Sequence, residues 1–203
     1  EQGMTTALER ILIVGGGTAG WIAAAMLARF VPRTVRIALV ESDAIGTVGV
    51  GEATIPQIRL LTAGLGIDED ALLRETQGTI KLGIEFVDWL RPGHRYMHAF
   101  GDIGRDVGMS PFQHLWLRAR AAGFAKPLAA YSLNEIAARA GRIHRGDPIT
   151  APTIPALPYA YHFDAGLFAR YLRRFAENRG VERSEGRILR VEQDGGTGDV
   201  TAL

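Results

Sequence analysis

Ile11-Leu12-Ile13-Val14-Gly15-Gly16-Gly17-Thr18-Ala19-Gly20-Trp21-Ile22-Ala23-Ala24-Ala25 decides the fold of this chain. Four aliphatic residues run without a polar break and then meet three glycines. The run is the length of a short buried strand, placed at Arg10 to Val14. The alanine-rich, proline-free tract behind the glycines predicts a helix from Thr18 to Phe30, stopped by Pro32. Gly15, Gly17 and Gly20 form the pattern G-x-G-x-x-G. In that pattern the first glycine permits a tight turn, the second lets a pyrophosphate approach the backbone, and the third lets helix and sheet pack closely. Thr18 and Ala19 open a helix whose free amides and positive dipole end favour an anion.

A second aliphatic run, Val35 to Val40, ends at Glu41, twenty-one residues past Gly20. Strand, glycine turn, helix and strand make a βαβ unit with parallel strands and a right-handed crossover. A carboxylate at the end of the second strand can accept hydrogen bonds from the ribose hydroxyls of an adenosine. A glycine-rich turn with no ligand is the competing interpretation, and the flanking strand and helix argue against it. The fold class is therefore α/β, with a Rossmann-like core.

Outward from that unit the elements are plainer. Ser42 to Thr54 is a glycine-rich loop. Ile55 to Leu65 and Asp68 to Thr76 are expected as helices, the second capped by Asp68. Leu82, Ile84 and Phe86 alternate with Gly83, Glu85 and Val87 and read as a strand with one face buried. Arg91-Pro92-Gly93 is a turn, and Tyr96 to Phe100 a further strand. Phe112 to Ala122 and Ala129 to Ala140 are helix candidates, and Asp147 to Pro158, with four prolines, is a connection. Asp164 to Arg179 carries the clearest helical stripe, Leu167, Phe168, Tyr171, Leu172 and Phe175, capped by Asp164 and ended by Gly180. Arg187 to Glu192 reads as a strand. Asp194 to Asp199 is a hairpin turn into a return strand at Val200.

The chain has 203 residues, 23 basic and 22 acidic, for a formal charge of +1. That balance implies no basic face and argues against a nucleic-acid partner. There is no cysteine, which removes disulfides, thiolate metal sites, iron–sulfur clusters and cysteine nucleophiles together. No metal site is expected, and the composition fits a reducing, cytoplasmic location. The longest clean apolar run, Trp21 to Ala28, is far short of the ~20 residues that span a bilayer.

Beyond the βαβ unit stands a second glycine motif, Gly49-Val50-Gly51-Glu52-Ala53-Thr54-Ile55-Pro56. Two glycines two apart let a backbone ride against a flat ring, and Thr54 to Pro56 would start a helix beside it. A little further on, Lys81 sits in Thr79-Ile80-Lys81-Leu82-Gly83-Ile84-Glu85-Phe86. With these segments the chain resembles the flavin-dependent tryptophan halogenases. The matching stretches are Ile11–Ala23, Gly49–Pro56, Lys81–Trp89, His98–Gly101 and Tyr159–Arg174, in order along nearly the whole chain.

The resemblance implies an FAD-binding Rossmann-like domain and a functional partner, a flavin reductase that supplies reduced FAD. It implies that the flavin takes up oxygen to give a hydroperoxide, that chloride or bromide attacks it, and that hypohalous acid travels to a lysine beside a small aromatic substrate. Lys81 matches that lysine. An ammonium can hydrogen-bond hypohalous acid and make its halogen more electrophilic, whereas a neutral amine could form a haloamine; the sequence leaves both routes open. The alternative for Lys81 is a strand-edge side chain in solvent. By the same resemblance Gly51, Glu52, Ala53 and Thr54 lie along the flavin, Glu52 near the halide route, and the Ile188 backbone meets the adenine. His98 and Phe100 match positions that hold an indole between flat faces. The alternative is that both are ordinary core residues. Glu85 reads only as a strand-face carboxylate.

The organisation expected is a βαβ core over 9–54, a substrate-side segment over 55–158, and a return to the FAD-binding domain over 159–203. Family members carry a W-x-W-x-I-P segment and a second catalytic carboxylate in a later half, and this sequence has neither. The expectation is an N-terminal portion of a halogenase-like protein, inactive alone, that allows a homodimer. Two other functions compete. One is a flavin-dependent aromatic hydroxylase, which would not need Lys81, and the other is a non-catalytic dinucleotide-binding module.

Overall fold

The computed structural model describes residues 8–45, 52–146 and 156–203. Ten strands are formed: β1 (Arg10–Val14), β2 (Arg36–Glu41), β3 (Glu52–Ala53), β4 (Thr79–Lys81), β5 (Gly83–Val87), β6 (Arg95–Ala99), β7 (Ala160–Phe163), β8 (Glu182–Glu185), β9 (Glu192–Gln193) and β10 (Val200–Ala202), among the described residues. The α-helices among them are α1 (Thr18–Phe30), α2 (Ile58–Leu65), α3 (Glu69–Glu75), α4 (Phe112–Ala121), α5 (Leu133–Arg139) and α6 (Ala165–Glu177). The chain divides into two compact units. One comprises Glu1–Glu52, Thr62–Gly78 and Phe163–Leu203; the other comprises Ala53–Leu61 and Thr79–His162.

In the first unit β1 and β2 run parallel in the register Arg10↔Arg36 to Val14↔Val40. β8 pairs parallel on the far side of β2, which is therefore the central strand. Leu39 of β2 is fully buried, as a middle strand requires. Helix α1 packs against α6 through small residues: Ala24 and Ala25 from one, Ala165, Ala169 and Ala176 from the other, with Trp21, Phe168 and Leu172 filling between. Asp164 caps α6 by accepting from Leu167 N at 2.7 Å, and Gly180 turns the chain away with φ +95°.

In the second unit β7 lies between β3 and β4. β5 and β6 form an antiparallel hairpin, Gly83↔Ala99 to Val87↔Arg95. A Cβ on Gly83 would sit 2.7 Å from the Ala99 Cα and the His98 carbonyl oxygen, so glycine allows the strands their close approach there. Helix α5 rests on this hairpin. Its Asn134 donates to the Pro158 carbonyl at 2.6 Å.

Several expectations need correction. β1 is not buried: Leu12 and Val14 are 53% and 58% exposed, because α1 covers one side only and the other borders an open groove shared with Ile188 and Leu189. The loop after Glu41 includes a 3₁₀ turn at Asp43–Ile45 and the short strand β3. The alternating stretch around Lys81 holds a second strand, β4, before the one expected over Leu82 to Val87. β4 pairs with β7, β5 with β6, and between them Leu82 gives its carbonyl to Phe100 N at 2.8 Å. Neither face of β5 is buried along its length. The helix expected from Ala129 breaks at Ser132, which ends a 3₁₀ turn and caps α5 by accepting from Glu135 N. On α6 the buried stripe runs through the alanines, so Leu167, Tyr171 and Phe175 are only half-buried. Arg187 to Val191 forms no strand; the ladder residues are Glu182–Glu185, a polar run whose strand character comes from pairing with β2. The proline-rich connection lies mostly outside the described residues.

Candidate nucleotide pocket and lysine site

The first unit builds its site from the glycine turn. Gly15 has φ +102° and its N–H donates to the Val40 carbonyl at 2.9 Å, tying the turn to the end of β2. Gly17 is the N-cap of α1; no side chain caps the helix, and no acidic residue stands in its first turn. The leading amides of α1 therefore lack a side-chain acceptor and present a partial positive charge. A Cβ on Gly20 would fall on the Gly15 carbonyl oxygen, so this glycine permits the turn to fold back on the helix.

Around the turn lies a cavity of roughly 740 Å³ bordered by Gly15, Gly17, Thr18, Ala19, Glu41, Glu52 and Ile188. Arg170 and Arg173 of α6 border it too. Glu41 accepts from Arg183 Nε at 2.6 Å and from the Trp21 indole at 3.3 Å, and Arg173 lies 3.6 Å from the same oxygen as Arg183. The hydrogen bond to Glu41 is the largest cause holding the Arg183 guanidinium above its ordinary range; burial opposes it and Asp43, at 2.5 Å, adds to it. These groups fit the adenosine diphosphate portion of a dinucleotide: bare amides and guanidinium groups for the pyrophosphate, a carboxylate for ribose hydroxyls. Gly20 stands behind the turn in a packing position, and Gly51 lies outside the described residues.

The second unit builds its site on β4. Lys81 pairs with Ala160 of β7 and is only 5% exposed. Its Nζ donates to the Thr54 carbonyl at 2.9 Å and lies 5.6 Å from the centre of the Phe100 ring. Thr54 is fixed in turn. Its Oγ1 donates to the Tyr161 carbonyl at 2.9 Å and accepts from Tyr161 N at 3.0 Å, and its own N–H donates to the same carbonyl. Among the described residues no carboxylate pairs with Lys81. The lysine is thus no strand-edge side chain in solvent, and it meets the last part of the second glycine motif. Ala53 lies one residue before this clamp, in β3.

His98 and Phe100, two residues apart at the end of the hairpin ladder, differ in enclosure. Phe100 is half-buried beside Lys81, whereas His98 lies exposed on β6 opposite Ile84. Neither is a fully buried core residue. Glu85 is paired with Arg95 at 2.7 Å, the main cause that holds its carboxyl below the usual range, and stands 3.7 Å from Arg139. Sequence reasoning missed Trp21, Tyr161 and Arg183. Trp21 could have been noticed beside Gly20, one turn into the helix from the glycine pattern. Tyr161 and Arg183 carry no local signal, because each acts through a partner more than a hundred residues away.

Fold and pocket together define an α/β protein of Rossmann-like, nucleotide-binding architecture. A family model described as tryptophan halogenase matches residues 10–203, and the chain belongs to that family. It is 36% identical to the tryptophan 7-halogenase RebH of Lentzea aerocolonigenes, over 94% of this chain and 38% of that protein. It is 34% identical to the tryptophan 6-halogenase SttH of Streptomyces toxytricini, over 92% of this chain and 39% of the relative. Among solved structures, Xcc4156, a flavin-dependent halogenase from Xanthomonas campestris, superposes with a TM-score of 0.90 at 47% identity, covering 98% of this chain and 39% of that one. BrvH, a flavin-dependent halogenase from Brevundimonas sp. BAL3, gives 0.85 and 44%, covering 95% and 38%. The chain thus spans about two-fifths of the length of the relatives it matches.

Proposed function

We propose that this chain is the N-terminal portion of a flavin-dependent halogenase acting on an electron-rich aromatic ring such as an indole. The carrying observation is Lys81: a nearly buried amine, held on a backbone carbonyl, beside an aromatic ring, with no carboxylate partner among the described residues. Reduced FAD with oxygen and chloride or bromide supplies the oxidised halogen, and a flavin reductase renews the reduced cofactor. Gly17, Thr18 and Ala19 hold the pyrophosphate through backbone amides, Gly15 makes the tight turn that presents them, and Gly20 gives the turn its room. Glu41 reads the ribose and the Ile188 backbone meets the adenine. Gly51, Glu52, Ala53 and Thr54 border the flavin.

Lys81 then donates a hydrogen bond to the hypohalous acid and orients it toward the ring. Its resting partner, a neutral carbonyl, can be exchanged at far smaller electrostatic cost than a carboxylate. Phe100 offers a flat face to the substrate, and His98, two residues back and exposed on β6, meets it from the open side. The test is Lys81→Met in the longer protein with reduced FAD, halide and tryptophan. Loss of halogenated product, by roughly a hundredfold or more, with flavin oxidation unchanged is expected. Unchanged product, or an oxygenated product that never needed the lysine, would instead indicate a hydroxylase. Binding of FAD with no oxygen consumption would indicate a non-catalytic module.

A further inference from the structure

The glycine pattern leaves its second position open, yet residue 16 is glycine. Backbone strain does not explain it, since Gly16 lies outside the left-handed region that singles out Gly15. Space does. A Cβ on Gly16 would fall on the carboxylate of Glu41. The Glu41 side chain therefore folds over the glycine turn, at the mouth of the pocket that α1 opens.

Donors hold it there from two sides. The Trp21 indole N–H reaches Oε2 at 3.3 Å, from the first turn of α1. Arg183 Nε reaches Oε1 at 2.6 Å from β8, and a terminal nitrogen of the same guanidinium binds Asp43 at 2.5 Å. Both side chains are mostly enclosed, at 12% exposed for Arg183 and 15% for Glu41. A guanidinium engaged at two corners is a rigid brace. Each carboxylate oxygen still has acceptor capacity after these bonds, so one oxygen remains available to each of two adjacent hydroxyls.

We propose that Gly16, Trp21 and Arg183 are positioning residues that preset the Glu41 carboxylate to read the two ribose hydroxyls of an adenosine. This rests on the reading of the pocket as a nucleotide site. Without Arg183 the carboxylate loses its brace and turns to solvent. With any side chain at position 16 it is displaced from the turn. In either case the discrimination between ribose and deoxyribose weakens, while contacts to the pyrophosphate are left in place.

The experiment compares ADP and 2′-deoxy-ADP, titrated to millimolar concentration into the purified chain and followed by amide chemical shifts. A hydrogen bond to a charged group predicts roughly tenfold preference for ADP in the wild type. Arg183→Gln and Gly16→Ala should each bring that ratio near one, with Arg183→Lys intermediate and Trp21→Phe reducing it less. A purely structural role would lower the affinity for both nucleotides and leave the ratio intact. Should Arg183→Gln fail to fold, Gly16→Ala and Trp21→Phe carry the test. An unchanged ratio in the folded variants overturns the proposal and spares the pocket. No binding of either nucleotide to the wild type overturns the nucleotide reading itself.

Discussion

Thr54 shows how one residue can set the state of another. Its hydroxyl is both donor and acceptor to the Tyr161 backbone, and its carbonyl receives Lys81. Thr54→Val keeps the shape but removes both hydroxyl bonds to the Tyr161 backbone, a cost of about 1–3 kcal/mol, and loosens the carbonyl. The expected result is a lower melting temperature and faster acylation of Lys81 by an amine-reactive ester, read by mass spectrometry. Exposed Lys126, the chain's other lysine, is the internal reference. An acylation rate for Lys81 already equal to that of Lys126 in the wild type would contradict the clamp. His162 gives a pH dependence. Burial first, and the Lys81 charge second, hold its imidazole below the ordinary range. The folded protein then takes up this proton less readily than the unfolded chain. The contribution is complete above roughly pH 6.5 and is lost as pH falls from there through the folded value. The effect is small, because the burial of His162 is only partial and much of it stays open to solvent. His162→Gln should flatten that part of a urea-unfolding profile, and a slope identical to wild type would refute the assignment.

Helices and strands were legible to different degrees, and the reason is physical. α1 could be read to the residue, since its alanines favour helix, Gly17 opens it and Pro32 follows it. Asp68 and Asp164 cap α3 and α6 as a local side-chain-to-backbone bond allows. Asp164→Ala should cost about 1 kcal/mol in chemical denaturation; Leu172→Ala, fully buried between α1 and α6, about 2–5 kcal/mol. Equal losses for the two would mean that α6 is not held by its packed face. β8 could not be read, because Glu182–Glu185 has neither apolar run nor alternation and becomes a strand only by lying against β2. The break at Leu82 was likewise hidden: one continuous alternating pattern serves two ladders, and only the partners β7 and β6 divide it.

At the scale of the molecule the chain forms two units from interleaved segments and spans about two-fifths of its matched relatives. The apolar side of β1 and the open pocket mouth argue that the isolated chain binds FAD weakly. Flavin-fluorescence titration checks this, and submicromolar affinity would count against it. The residues alone determined the βαβ core, the turn that bares helix amides, the carboxylate at the end of β2 and the family, because these depend on side chains within a few residues or at a set spacing of one another. Only the tertiary structure decided that Lys81 is enclosed on the Thr54 carbonyl, that His98 is exposed where Phe100 is half-buried, and that Gly16, Trp21 and Arg183 gather at Glu41. Those outcomes depend on hydrogen bonds and space shared between distant segments, which exist only once the chain has folded back upon itself.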